Sequence, residues 1–142
     1  VVDDFNNIYK VKRGINIYYK NDGKNKYLIY GIENRIEQII ANLLDNAISF
    51  SDDNKDVIVQ VSKSEDNKVY IKILDEGQGF KEKDTNKIFK RFYSNRPDKF
   101  GQHSGLGLNI VKNLVDLHNA TIKATNRQDK KGASMEIEFP KV

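Results

Sequence analysis

Two asparagines, Asn42 and Asn46, stand four residues apart in the run Ile36-Glu37-Gln38-Ile39-Ile40-Ala41-Asn42-Leu43-Leu44-Asp45-Asn46-Ala47-Ile48. Residues at that spacing share a helix face. Two neutral amides on the edge of an apolar stripe can offer oxygen ligands to a hard cation such as Mg²⁺, which usually arrives carrying phosphates. Sixteen of the 142 residues are asparagine, so a solvated helix edge is the plainer reading of the pair taken alone. A second group is Asp75-Glu76-Gly77-Gln78-Gly79-Phe80. Gly77 and Gly79 let a ligand approach the backbone, and a strand-end carboxylate can accept a hydrogen bond from an exocyclic amine such as that of adenine. An ordinary D-x-G turn is the plainer reading of this group taken alone, and the third glycine of a dinucleotide fingerprint is missing. The third group, Ser104-Gly105-Leu106-Gly107-Leu108, opens a helix. Uncovered N–H groups at the positive end of a helix suit phosphate, although no Gly-Lys-Ser or Gly-Lys-Thr closes a Walker loop and glycines are common at helix starts.

These groups need elements to hold them. Ile36, Ile39, Ile40, Leu43, Leu44, Ala47 and Ile48 recur as on a helix packed against a core. Residues 14–20 and 26–30 are β-branched and aromatic runs split by the turn cluster 21–25, and they predict a hairpin leading into that helix. Residues 57–61 and 69–74 predict two further strands joined by the turn-rich 64–68. From Asp75 to Ser104 no long period holds, apart from an apolar cluster at Ile88, Phe89, Phe92 and Tyr93. A weakly patterned stretch of that length in so small a domain predicts a functional lid or binding loop. A second amphipathic helix starts near Gly105, carries Ile110, Val111, Leu114 and Val115 on one face, and ends near His118-Asn119. Strands at 121–124 and 134–139 follow, joined by 127–132. Helices segregated from antiparallel strand pairs predict an α+β two-layer sandwich.

Composition bounds what these elements can do. The chain has 142 residues, 38% of them hydrophobic, which suits a single domain over 1–142 with one core. Its 24 Lys and Arg against 20 Asp and Glu give +4 without a basic block, which suits an anionic ligand but offers no stripe for nucleic acid. The absence of cysteine excludes disulfides, thiolate metal sites and Cys nucleophiles. No run of 18 apolar residues occurs, and the opening Val1-Val2-Asp3-Asp4 has neither an initiator Met nor a signal peptide, so the chain is expected to be a piece of a longer protein.

The order of these groups resembles the ATP-binding catalytic domain of sensor histidine kinases, a branch of the GHKL superfamily that also holds gyrase, a heat-shock chaperone and the MutL repair proteins. Asn42-Leu43-Leu44-Asp45-Asn46-Ala47 looks like the N box and Asp75 to Phe80 like the first glycine box. Ile88-Phe89-Lys90-Arg91-Phe92-Tyr93 looks like the F box, and Ser104 to Lys112 like the second glycine box. The resemblance covers about Tyr27 to Phe139. It implies the Bergerat ATP-binding fold, a mixed sheet of about five strands under three helices, with a long ATP lid. It implies that Asp75 binds the adenine amino group with Gly77 and Gly79 beside it, and that Asn46 ligates Mg²⁺ with Asn42 close to metal and phosphates. Gly105, Leu106 and Gly107 would hold phosphates, and Phe50 replaces an aromatic that packs on the base. Arg96 or Arg91 would supply phosphate charge, because Ser94 stands where many relatives have a basic residue and Ser49 where many have Lys.

Position 42 distinguishes two kinds of chemistry within that superfamily. The ATPase branch typically has Glu there as general base, whereas the amide of Asn42 cannot take a proton at neutral pH. Transfer would then depend on positioning and charge stabilisation for a nucleophile brought from outside. The resemblance makes that nucleophile a histidine on an adjoining dimerisation domain, with a response regulator downstream. It places the fragment, expected to be monomeric, as the cytoplasmic domain of an inner-membrane protein that is dimeric when whole. A GHKL-type ATPase clamp and a non-catalytic pseudokinase module are the competing expectations. Of the two histidines, His103 reads as a solvated lid residue and His118 as a structural helix end.

Overall fold

The computed structural model describes residues 2–3, 14–23, 26–80, 88–89 and 106–142. A five-stranded sheet is built from β1 (Asn16–Asn21), β2 (Asp56–Lys63), β3 (Val69–Leu74), β4 (Thr121–Asn126) and β5 (Ala133–Phe139). Its order is β1-β2-β3-β5-β4, open at both edges. β1 runs parallel to β2 and every other pairing is antiparallel. Two helices, α1 (Glu33–Phe50) and α2 (Leu106–Leu117), pack on one another and on the sheet.

Strict alternation explains why the helices share one face. Val59, Ile73, Met135 and Ala124 stand in register across β2, β3, β5 and β4, and all are buried. The intervening residues of β3 and β5 form partnered pairs on the other face. Tyr70 donates to Glu138 at 2.6 Å, and Lys72 lies 3.5 Å from Glu136. The hydrogen bond to Glu138 stabilises the neutral phenol and pushes Tyr70 up to about 12. On the helical side, α1 buries Ile39, Leu43, Leu44, Ala47 and Ile48, with Ile36 and Ile40 half-buried, which is the stripe expected from the sequence.

One expectation is corrected. The segments 14–20 and 26–30 do not form a hairpin: β1 pairs with β2 in parallel, and 26–30 has no strand assignment. A parallel pair needs a long crossover, and α1 supplies it. The inward Ile17 gains Val57 as its register partner, while Tyr27 and Ile29 pack against the core as half-buried side chains. Helical and strand segments with similar short apolar runs cannot be told apart in pairing by local turn signals alone. Of the three helices that the resemblance implies, α1 and α2 are described above; Val2 and Asp3 are also helical, and Ile88 and Phe89 are buried in a 3₁₀ turn. Among the described residues, no helix is long and apolar enough to cross a membrane.

Candidate nucleotide site

The candidate site lies where the C-terminal end of α1 meets the end of β3. Ser51 follows α1 directly and is fully buried; its Oγ donates to the Ala47 carbonyl at 2.8 Å, while its N–H bonds the Ala47 and Ile48 carbonyls at 3.0 and 3.3 Å. These bonds close the last turn, whose carbonyls would otherwise lack partners. Ser51 then forms an antiparallel bridge with Gly77. That bridge joins the helix carrying Asn42, Asn46 and Phe50 to the loop carrying Asp75, Gly77 and Gly79.

Asp75 is 3% exposed, and its Oδ1 accepts two backbone hydrogen bonds, from Gly77 and Ala133, each at 3.0 Å. Its own N–H donates to the Ala133 carbonyl at 3.0 Å, continuing the β3–β5 pairing past the strand end. A carboxylate held on one oxygen by two main-chain donors has a fixed plane, which is what recognition of a planar base requires. Gly79 has φ 77°, and a Cβ there would meet the Asn126 side chain. The contact is close because Asn126 clamps the next residue: Phe80 N–H donates to its Oδ1 at 2.6 Å, and its Nδ2 donates to the Phe80 carbonyl at 3.1 Å. Beside this loop, Glu76 accepts from the Asp56 N–H at 2.8 Å and pairs with Lys130 at 3.3 Å. The backbone hydrogen bond, then Lys130, holds its carboxyl below the usual glutamate range.

Asn46 is 8% exposed, and its side chain makes no hydrogen bond to a described residue. A buried amide without a protein partner costs about 1–3 kcal/mol, and a ligand that supplies the partner removes that cost. Asn42, one turn earlier, is half-buried. No cluster of three His, Cys, Asp or Glu able to hold a metal occurs among the described residues. This donor set leaves a cation to be held by an amide oxygen, phosphates and water, which suits Mg²⁺ because that ion keeps several waters and binds through substrate phosphates. Phe50 is 6% exposed at the end of α1. Gly107 lies in the first turn of α2, where a Cβ would meet no described atom within 4 Å, so packing does not require glycine there. Leu106 is the first residue of α2. Arg91, Arg96, His103 and Gly105 lie outside the described residues.

Sequence reasoning missed the residues that brace the site. Asn126 ends β4, Ala133 opens β5, Arg127 and Gly132 lie in the loop between them, and Asn109 of α2 donates to the Phe89 carbonyl at 3.2 Å. The alternation of β4 and β5 locates their hairpin, but no local pattern shows that its loop reaches across to Asp75. His118 has the structural place expected of it. It is buried, its Nε2 accepts from the Ile32 N–H at 3.1 Å and its Nδ1 bonds the Leu114 carbonyl at 2.7 Å, so its proton resides on Nδ1.

Comparison with known proteins supplies independent findings. Residues 31–142 match the family model described as histidine kinase-, DNA gyrase B-, and HSP90-like ATPase. The sensor protein ChvG of Agrobacterium fabrum is 35% identical over 139 residues, 93% of this chain but 23% of ChvG, so the chain spans under a quarter of that relative. A nucleotide-free catalytic domain of histidine kinase ThkA superposes with a TM-score of 0.82 at 25% identity, over 99% of this chain and 89% of that one. Full-length ShkA in complex with AMPPNP gives a TM-score of 0.82 at 24% identity, over 98% of this chain and 28% of that one.

Proposed function

The chain belongs to the histidine kinase-, DNA gyrase B-, and HSP90-like ATPase family, and on that premise we propose that it is the ATP-binding catalytic domain of a sensor histidine kinase. The observation that carries this reading is the pairing, through the Ser51–Gly77 bridge, of an oriented buried carboxylate with a buried amide that has no hydrogen-bond partner among the described residues. Asp75 accepts the adenine amino hydrogen, and the backbone around Gly77 and Gly79 lets the base approach. Asn46 would turn its amide oxygen to Mg²⁺, with Asn42 beside it, and Leu106 and Gly107 in the first turn of α2, together with Gly105, would receive phosphate oxygens. Bound Mg²⁺ would neutralise charge on the β- and γ-phosphates during transfer.

Asn42 decides the acceptor. An amide takes no proton from water, so the site positions ATP for a nucleophile that needs no activation from this chain. A neutral imidazole on an adjoining dimerisation domain meets that need, and a response regulator would then take the phosphoryl group. In the whole protein the domain would lie on the cytoplasmic side of the inner membrane. ChvG, a sensor protein, and ShkA, solved with an ATP analogue, support the reading. The test is incubation of the full-length protein with Mg-ATP labelled at the γ-phosphate. Label is expected on histidine, stable to base and labile to acid; label appearing only as inorganic phosphate would favour an ATPase instead.

A further inference from the structure

Arg127 is the least exposed cation among the ion pairs of the described residues, with a side chain 4% exposed, although it stands in the short loop between β4 and β5. Its guanidinium forms a fork on Asp129, Nε to Oδ1 at 3.0 Å and Nη2 to Oδ2 at 2.8 Å. The remaining nitrogen, Nη1, donates to the main-chain carbonyl of Asp75 at 3.1 Å. Its backbone N–H closes the loop on the Gly132 carbonyl at 2.9 Å. Gly132 has φ 147°, and a Cβ there would overlap the Asp75 carbonyl oxygen, so the loop lies against Asp75 only because this residue is glycine. The neighbouring Ala133 N–H holds Asp75 Oδ1.

We infer that Arg127, locked by Asp129, is a positioning residue that sets the purine selectivity of the nucleotide site. The inference rests on the assignment of Asp75 to the adenine amino group. Main chain and side chain of Asp75 are gripped from the same loop: Arg127 fixes the peptide carbonyl and Ala133 fixes the carboxylate plane. A guanidinium desolvated to this degree is retained only with well-placed partners, and here three of its five N–H donors go to Asp129 and the Asp75 carbonyl. Loosening the grip lets the carboxylate rotate, so that it no longer distinguishes a 6-amino from a 6-oxo purine. Asp129 is itself exposed at 65% of its side chain, so it can be changed with little disturbance of the core.

The experiment measures ATP and GTP affinities of the chain side by side, with thermal midpoints recorded for each variant. Arg127→Gln and Asp129→Asn should each lower the ATP-over-GTP preference about tenfold, the worth of one charge-assisted hydrogen bond. Arg127→Lys, which keeps a donor for the Asp75 carbonyl, should recover part of it. A purely structural role would lower the midpoint and weaken both nucleotides equally, leaving the ratio unchanged, and that result overturns the inference. If Arg127→Gln does not fold, Asp129→Asn decides by the same ratio. A wild-type chain that binds no ATP refutes the nucleotide assignment, whereas adenine-selective wild type with an unmoved ratio in the variants refutes only the role of Arg127.

Discussion

Asp75 and Glu76 are adjacent carboxylates with opposite duties. Asp75 is buried with one oxygen fixed by the Gly77 and Ala133 N–H groups. In Asp75→Asn the amide oxygen can keep those two bonds, but the NH₂ then confronts the adenine amino group donor to donor. ATP affinity should fall about a hundredfold with little change in folding, which competition with a fluorescent nucleotide would read. Glu76 instead ties the start of β2 to the β4–β5 loop through the Asp56 N–H and Lys130. Its folded pKa is lowered, so its stabilisation is present above the ordinary glutamate range and is lost as pH falls through the lowered folded value. Glu76→Gln should therefore be less stable than wild type at about pH 7, by about 1 kcal/mol, and the gap should close towards about pH 3. Denaturant titrations at both pH values check the sign.

Elements differ in how openly the sequence announces them. The α1 stripe and the alternation of β2, β3 and β5 are read directly, because each buries a single face and its period survives in the residue order. Leu43 illustrates the strength of that signal: it is 1% exposed between helix and sheet. Leu43→Ala should cost about 3 kcal/mol of stability, measured by chemical denaturation. Pairing is less legible, since Ile15 and Ile17 identify a strand but not its neighbour, and the turn chemistry at 21–25 suggested a hairpin where α1 makes a crossover to β2. Side-chain contacts distant in sequence are hidden altogether. His118 joins the end of α2 to Ile32 at the start of α1, which has no side-chain cap of its own. His118→Ala should cost about 1–3 kcal/mol, because the Ile32 N–H loses its partner. In the site, Asp75 and the asparagine pair could be picked out, but Arg127 and Gly132 could not, because they act through a loop 52 residues away from Asp75 in sequence.

Taken whole, the molecule is a one-sided sheet whose helical layer and β3 end converge on a single locus, with the β4–β5 loop bracing it from behind. Asn42, one turn before the amide proposed to hold the metal, cannot serve as a base, so the chain should bind nucleotide far better than it hydrolyses it. That expectation follows from residue 42, and membership of a family that includes ATPases does not alter it. Calorimetric titration of the purified chain with ATP, in the presence and absence of Mg²⁺, tests the central claim most directly. Saturable, Mg²⁺-dependent binding that weakens strongly in Asn46→Ala is predicted; no heat up to about 1 mM ATP, a ceiling corresponding to only about 4 kcal/mol of binding energy, would contradict it.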